Sequence, residues 1–66
     1  MIQSNKHNLK VGDKVTFTNK LSYTMVFTIS RTSEKSVWNK DNNGEWRDSW
    51  NTMNNMIDDG ATIERA

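Results

Sequence analysis

The chain has 66 residues, which allows one domain near the lower size limit for independent folding. It contains no cysteine, so disulfide bonds and thiolate metal ligands are excluded, and three tryptophans, two phenylalanines and one tyrosine must supply much of the packing. Nine basic and eight acidic residues give a net charge of +1, which excludes the strongly basic composition of many nucleic-acid-binding domains.

Residues 1–8 are polar and show no periodicity, so we predict a flexible tail there and a single small β-rich domain over residues 9–66. The tail does not resemble a signal peptide. No run is long and apolar enough to cross a bilayer, and we expect no membrane partner.

The first predicted strand lies within residues 9–19, where apolar and polar residues alternate. Leu9, Val11, Val15 and Phe17 fall on one parity, as in a half-buried strand, and Gly12 with Asp13 forms a turn or bulge. Residues 19–22 form a connection to the second strand.

The second predicted strand, residues 23–30, is rich in β-branched and aromatic side chains. Tyr23, Met25, Phe27 and Ile29 share one face, and we expect Tyr23 and Phe27 to be buried. A polar turn at residues 31–34 leads to a third strand at residues 35–40.

A hairpin turn is predicted at residues 41–44, because Asn43-Gly44 favours the positive φ angles of a tight turn. A fourth strand follows at residues 45–47. Helical spacing then begins, with Ser49 or Asp48 as the N-cap and an apolar stripe that starts at Trp50. The apolar stripe continues with Met53, Met56 and Ile57, and Gly60 is predicted to end the helix. A last strand is predicted at residues 61–65.

The predicted fold class is therefore mainly β, or small α+β, with the order β-β-β-β-α-β. An antiparallel meander of short strands with one helix before the last strand favours an SH3-like barrel. An open sheet with the helix on one face is the alternative.

Few residues of the sequence are suited to catalysis or to metal binding. His7 is the only histidine and lies in the polar tail without a positioned partner. Residues 41–46 superficially resemble a calcium loop, but the sixth position holds Trp46 where that pattern needs glycine. We therefore predict no catalytic residues, no metal site and no cofactor, and we interpret the chain as a binding protein and not an enzyme.

The hairpin carries the candidate partner-binding residues. Trp38 and Trp46 lie on its two strands as near neighbours. If Val37 faces the core, Trp38 faces outward, and if Trp38 faces inward, it completes the core. The predicted binding surface consists of Trp38 and Trp46 with the cations Lys40, Arg47, Arg31 and Lys35.

Charge is unevenly distributed along the chain. Residues 1–40 hold seven basic and two acidic residues, whereas residues 41–66 hold two basic and six acidic residues. The asymmetry fits either ordinary solvated surface or a basic face for an anionic partner. Nucleic-acid binding through that basic face and an exposed tryptophan is thus an alternative function, and sequestration of a small anionic nucleotide is another. Exposed edge strands leave homo-oligomerisation open.

Two stretches resemble a known group of proteins. Leu9 to Phe17 (LKVGDKVTF) looks like the opening strand of SH3-like small barrels. Arg47 to Gly60, in which an arginine-serine-aromatic step leads into a short helix and a glycine, resembles the tail of small uncharacterised accessory proteins of tailed bacteriophages. The resemblance implies a location in the host bacterial cytoplasm. It also implies a non-catalytic protein that binds and modulates or inhibits a host protein, defence components included.

Overall fold

The computed structural model describes residues 4–66, and the first three residues of the predicted tail lie outside that range. The elements are β1 Lys14–Thr18, β2 Thr24–Thr32, β3 Ser36–Asp41, β4 Gly44–Ser49, α1 Trp50–Asp58 and β5 Thr62–Glu64. The mainly β fold class and the predicted order β-β-β-β-α-β are confirmed.

The five strands form one antiparallel sheet in the order β4-β3-β2-β1-β5. The sheet is not closed, because β4 and β5 occupy opposite edges. Helix α1 starts where β4 ends and leads to β5 at the far edge, so it crosses one face of the sheet. The sequence favoured the SH3-like barrel, whereas the structure shows the alternative arrangement, the open sheet.

The β3–β4 hairpin is closed by the pair Asp41 and Gly44 around a two-residue turn. Gly44 has φ +141°, a conformation that other L-residues rarely adopt. The Asp41 carboxylate accepts a hydrogen bond from the Asn43 backbone N–H at 2.7 Å, as in an Asx turn. These local interactions fix the register of the hairpin.

Helix α1 begins and ends at the predicted residues. Ser49 is the N-cap, and its hydroxyl accepts a hydrogen bond from the Thr52 N–H. At the other end Gly60 has φ +116°, and the following N–H, from Ala61, donates to the Met56 carbonyl at 3.2 Å. Both termini therefore satisfy backbone groups that a short helix would otherwise leave free.

The core lies between α1 and the sheet face that the helix covers, which we call the inner face. Trp50 is 1% exposed, as predicted, and its indole N–H donates to the Ser33 carbonyl at 2.8 Å. The fully buried apolar residues of the core are Leu9, Val15, Phe27, Ile29, Val37, Trp50 and Met53, with Ala61 at its margin.

Strand boundaries differ from the sequence prediction at several places, and two of the differences affect the core and the outer face. The first strand starts only at Lys14, although Leu9 still reaches the core. Strand β2 continues through Thr32, beyond the predicted end at Ser30, because a bulge between Ile29 and Arg31 keeps the strand in register. Arg31 then pairs with Trp38, so it belongs to the strand and not to the predicted turn.

A buried carboxylate connects residues 65 and 66 to the loop before β1. Asp13 is 2% exposed and accepts hydrogen bonds from the backbone N–H groups of Ala66 and Lys10, each at 3.0 Å, and from Arg65 Nη1 at 3.1 Å. These donors, the two backbone N–H groups foremost, lower the pKa of Asp13 despite its burial. The sequence indicated only a turn here.

Residues 4–8 of the predicted tail contact the rest of the domain. The Asn5 side chain exchanges two hydrogen bonds with the backbone of Leu9, each at 2.8 Å. The Ser4 carbonyl accepts a hydrogen bond from Asn54 Nδ2 at 2.8 Å, and Lys6 forms an ion pair with Asp58 at 2.9 Å. This segment thereby lies against α1.

Candidate binding surface

The face of the sheet that is turned away from α1 is the candidate binding surface, and we call it the outer face. Val37 and Asn39 on β3 are fully buried on the inner face, so alternation places Trp38 and Lys40 on the outer face. Strand pairing extends this assignment across the sheet. The charged and aromatic residues of the outer face are Lys14, Arg31, Trp38, Lys40, Glu45, Arg47 and Glu64.

Trp38 lies at the centre of a cationic cluster on the outer face. The Arg31 guanidinium carbon stands 3.8 Å from the centroid of the indole ring. On the other side, Arg47 of β4 is the direct cross-strand partner of Trp38. Trp38 is half-buried by these neighbours and is not part of the core. The structure thus brings together three of the predicted binding residues.

A second row of charges crosses the outer face beside that cluster. Lys40 is paired with Glu45 on one side and with Thr28 on the other, and Thr28 in turn is paired with Lys14. Glu45 also accepts a hydrogen bond from the Ser30 hydroxyl at 2.6 Å. The outer face therefore carries an excess of cations, with a carboxylate near each edge.

Trp46 lies on the opposite face from Trp38, so the two tryptophans do not form one surface. It pairs with buried Asn39, and its ring meets Phe27 edge-on at a centroid distance of 5.5 Å. Its indole N–H donates to Asp48 Oδ2 at 3.1 Å, and Asn39 Nδ2 donates to the same oxygen at 2.8 Å. Trp46 is thus a half-buried packing residue at the margin of the core.

Lys35 is the remaining residue of the predicted surface. It lies in the connection between β2 and β3 and is exposed. Unlike Arg31, Arg47 and Lys40, it occupies no position in the paired strands of the outer face. The structure therefore brings Trp38 and three of the predicted cations together on the outer face, which also carries Lys14.

The predicted burial of Tyr23 is wrong, since its side chain is 69% exposed. Met25, on the same face of β2, is 44% exposed. Helix α1 has only nine residues and contacts β3 and β4, so this end of β2 lies beyond its cover. Leu21, in the adjoining turn, is exposed as well.

The single histidine of the chain lies beside a carboxylate at the end of α1. His7 Nε2 lies 3.2 Å from Asp58 Oδ1, and Lys6 contacts the other oxygen of the same carboxylate. The hydrogen bond from Lys6 is the main cause that lowers the pKa of Asp58. Within residues 4–66, no group of three or more histidine, aspartate or glutamate residues is placed to hold a metal ion.

The geometry defines a small α+β domain with an open antiparallel sheet, one face of which is cation-rich and uncovered by the helix. Within residues 4–66, no helix combines the length and apolar character needed to cross a membrane. Comparisons with protein-family models, with curated proteins and with solved structures give no significant match.

Proposed function

We propose that this protein is a non-catalytic binding protein whose outer face docks onto an acidic surface of a partner protein. The observation that carries the proposal is the Arg31–Trp38–Arg47 cluster, in which a half-exposed tryptophan lies between two arginines. Tryptophan and arginine are the residue types that most often dominate the binding energy of protein interfaces.

The cluster is already ordered before a partner arrives. The stacking of Arg31 on Trp38 at 3.8 Å holds the guanidinium in place, so less side-chain freedom is lost on binding. A guanidinium also donates several hydrogen bonds in a fixed plane that suits carboxylates. Lys40 and Lys14 extend the positive potential over the outer face, which favours the approach of an acidic partner.

The resemblance to accessory proteins of tailed bacteriophages suggests what kind of partner this is. In that setting the partner would be a host protein in the bacterial cytoplasm, and docking on the outer face would modulate or inhibit it. A defence component of the host fits this role.

Single-stranded nucleic acid is the second candidate ligand, because four cations share an open sheet face with an aromatic ring. Two features favour a protein instead. Trp46 points to the inner face, which leaves Trp38 as the single aromatic ring of the outer face within residues 4–66, whereas sheets that bind RNA stack two or three bases. Arg31 also covers one face of the Trp38 ring, where a base would otherwise stack.

The test is capture from bacterial lysate with the wild-type protein and three variants, compared by quantitative mass spectrometry. Trp38→Ala and Arg31→Glu change the cluster, whereas Tyr23→Ala removes an exposed aromatic ring away from the outer face. We expect a protein that is retained by the wild type and by Tyr23→Ala and is lost with the two cluster variants.

The affinity for the recovered protein should then fall about 30-fold or more in Trp38→Ala, the loss typical of an interface hot spot. Far-UV circular dichroism checks that each variant is folded. If folded cluster variants recover the same proteins as the wild type, the proposal is wrong. If the tryptophan fluorescence of the wild type, but not that of Trp38→Ala, responds to single-stranded oligonucleotides with a steep salt dependence, nucleic acid is the ligand.

A further inference from the structure

The long free edge of the sheet is β4. Its six residues, Gly44–Ser49, pair with β3 on one side, and within residues 4–66 no strand pairs with the other side. The opposite edge, β5, has only three residues, and the chain beyond it is tied to the loop before β1 through Arg65 and Ala66. An edge of unpaired N–H and C=O groups is a template for another strand.

The register of the hairpin determines which backbone groups point outward. Asp41 and Gly44 close a two-residue turn, so they form a hydrogen-bonded pair. Pairs alternate along an antiparallel ladder, and Trp46 and Asp48 therefore also bond to β3. The N–H and C=O groups of Glu45 and Arg47 point instead to the free edge.

We infer that β4 pairs with β4 of a second copy of this chain, antiparallel and centred on Trp46. In this register Glu45 stands opposite Arg47 of the second copy, and Arg47 stands opposite its Glu45. Both pairs use the outward backbone groups, so they are hydrogen-bonded pairs, and each joins opposite charges on the outer face. Cross-strand pairs of opposite charge stabilise antiparallel sheets.

The charges select this register over its neighbours. Only alternate residues of β4 direct their backbone N–H and C=O groups to the free edge. Other hydrogen-bonded registers therefore differ from this one by a shift of two residues between the paired strands. One shift places Glu45 opposite Glu45 and the other places Arg47 opposite Arg47, and like charges directly opposite destabilise a sheet. Charged residues on an edge strand usually prevent pairing, whereas here one register turns both of them into ion pairs.

The other face of β4 also fits a second copy. Trp46 meets Trp46 of the second copy at a pair without hydrogen bonds, where side chains approach most closely. Its half-exposed ring, which contacts Phe27 at one edge, gains an aromatic neighbour. Gly44 stands opposite Asp48, which adds no repulsion.

The result is a two-fold symmetric dimer with one continuous sheet of ten strands. A row of alternating charge crosses the contact, from Lys40 through Glu45 to Arg47 of the second copy, and Trp38 of the second copy lies next to that Arg47. Both Trp38 clusters then lie on the same side of the sheet. The dimer does not depend on the proposed function, but it would present two binding clusters to a partner.

The experiment is a charge exchange, read by analytical ultracentrifugation over a range of concentrations. We expect the wild type to sediment as a dimer, at twice the 7.7 kDa mass of the chain. Glu45→Arg and Arg47→Glu each place like charges opposite one another twice, and each should weaken the dimer by about tenfold or more. An equimolar mixture of the two variants restores both ion pairs and should form a heterodimer, and the double variant should dimerise again.

Lys14→Glu is the matched control, because it reverses an outer-face cation that lies away from β4 and should leave the dimer unchanged. Hydrogen exchange adds a residue-level readout, in which the amides of Glu45 and Arg47 are protected in the wild type and exposed in each single variant. A wild type that stays monomeric up to millimolar concentration overturns the proposal. Dimers that survive both single exchanges, or a mixture that fails to associate, also overturn it.

Discussion

Asp13 is the position where a single isosteric change should be most damaging to the fold. In Asp13→Asn one carboxylate oxygen becomes an NH₂ group, which is itself a donor. At least one of the three groups that donate to Asp13 in the wild type then loses its acceptor. Hydrogen bonds to a charged group contribute about 1.5 to 3 kcal/mol, and a buried donor without a partner adds a penalty. We expect the free energy of unfolding to fall by about 2 to 4 kcal/mol.

That loss is large for a chain of this size. Stability of roughly 0.05 to 0.15 kcal/mol per residue corresponds to about 3 to 10 kcal/mol for the whole domain. Urea unfolding, followed by tryptophan fluorescence at pH 7, measures the difference between wild type and variant. Asp58→Asn is the control, because that carboxylate is 44% exposed and its ion pairs are screened by solvent, so its midpoint should stay close to that of the wild type.

The effect of Asp13 should also depend on pH in a defined direction. Its pKa is lower in the folded chain than the ordinary value of 3.8, so its stabilising contribution is complete above that value. The contribution is lost as the pH falls through the lower folded pKa, and wild type and Asp13→Asn should converge in acid. Equal stability of the two proteins at pH 7, or a difference that persists undiminished in strong acid, would refute the reasoning.

Two further predictions concern helix α1. Met53→Ala removes a fully buried side chain and should lower the free energy of unfolding by about 2 to 5 kcal/mol. Met25→Ala, at a 44% exposed position, should lower it much less. Chemical denaturation of both variants measures the two changes. Ser49→Ala removes the acceptor for the Thr52 N–H and should lower the free energy of unfolding by about 0.5 to 2 kcal/mol, whereas Ser49→Asp should retain most of the stability. A thermal midpoint for Ser49→Ala equal to that of the wild type would contradict the capping role.

Local signals in the sequence were sufficient for the hairpin turn and for the helix, which depend on near neighbours. The hairpin turn at Asp41–Gly44 and the helix from its cap at Ser49 to its end before Gly60 lie where they were predicted. The burial of Trp50 also followed from helical spacing. In each case a few adjacent side chains and backbone angles decide the local conformation.

Features that depend on distant parts of the chain could not be obtained in this way. Alternation placed Tyr23 on the same face as Phe27, but whether that face is covered depends on the length and path of α1. The burial of Asp13 depends on Arg65, which is 52 residues away in sequence. Neither the cover over the Tyr23 face nor the contact between Asp13 and Arg65 can be predicted from local spacing.

The separation of Trp38 from Trp46 was accessible from the sequence, because the hairpin turn already fixes the register. A two-residue turn closed by Asp41 and Gly44 pairs Trp38 with Arg47 and Asn39 with Trp46. Adjacent positions on a strand face opposite sides, so the two tryptophans must lie on opposite faces. The signal was in the turn length, and it also identifies Arg47 as the residue that shares a surface with Trp38.

The register of the strands also shows where the unevenly distributed charges of the chain lie in the structure. The basic N-terminal part supplies Lys14, Arg31 and Lys40 to the outer face, and the hairpin adds Arg47 from the acidic part. The acidic residues at the end of α1 lie on the helix side, where Asp58 meets Lys6 and His7. The inner face thus contains the core, whereas the outer face carries four cations and Trp38. We propose that a partner with an acidic surface covers this face, and the cluster variants test that proposal directly.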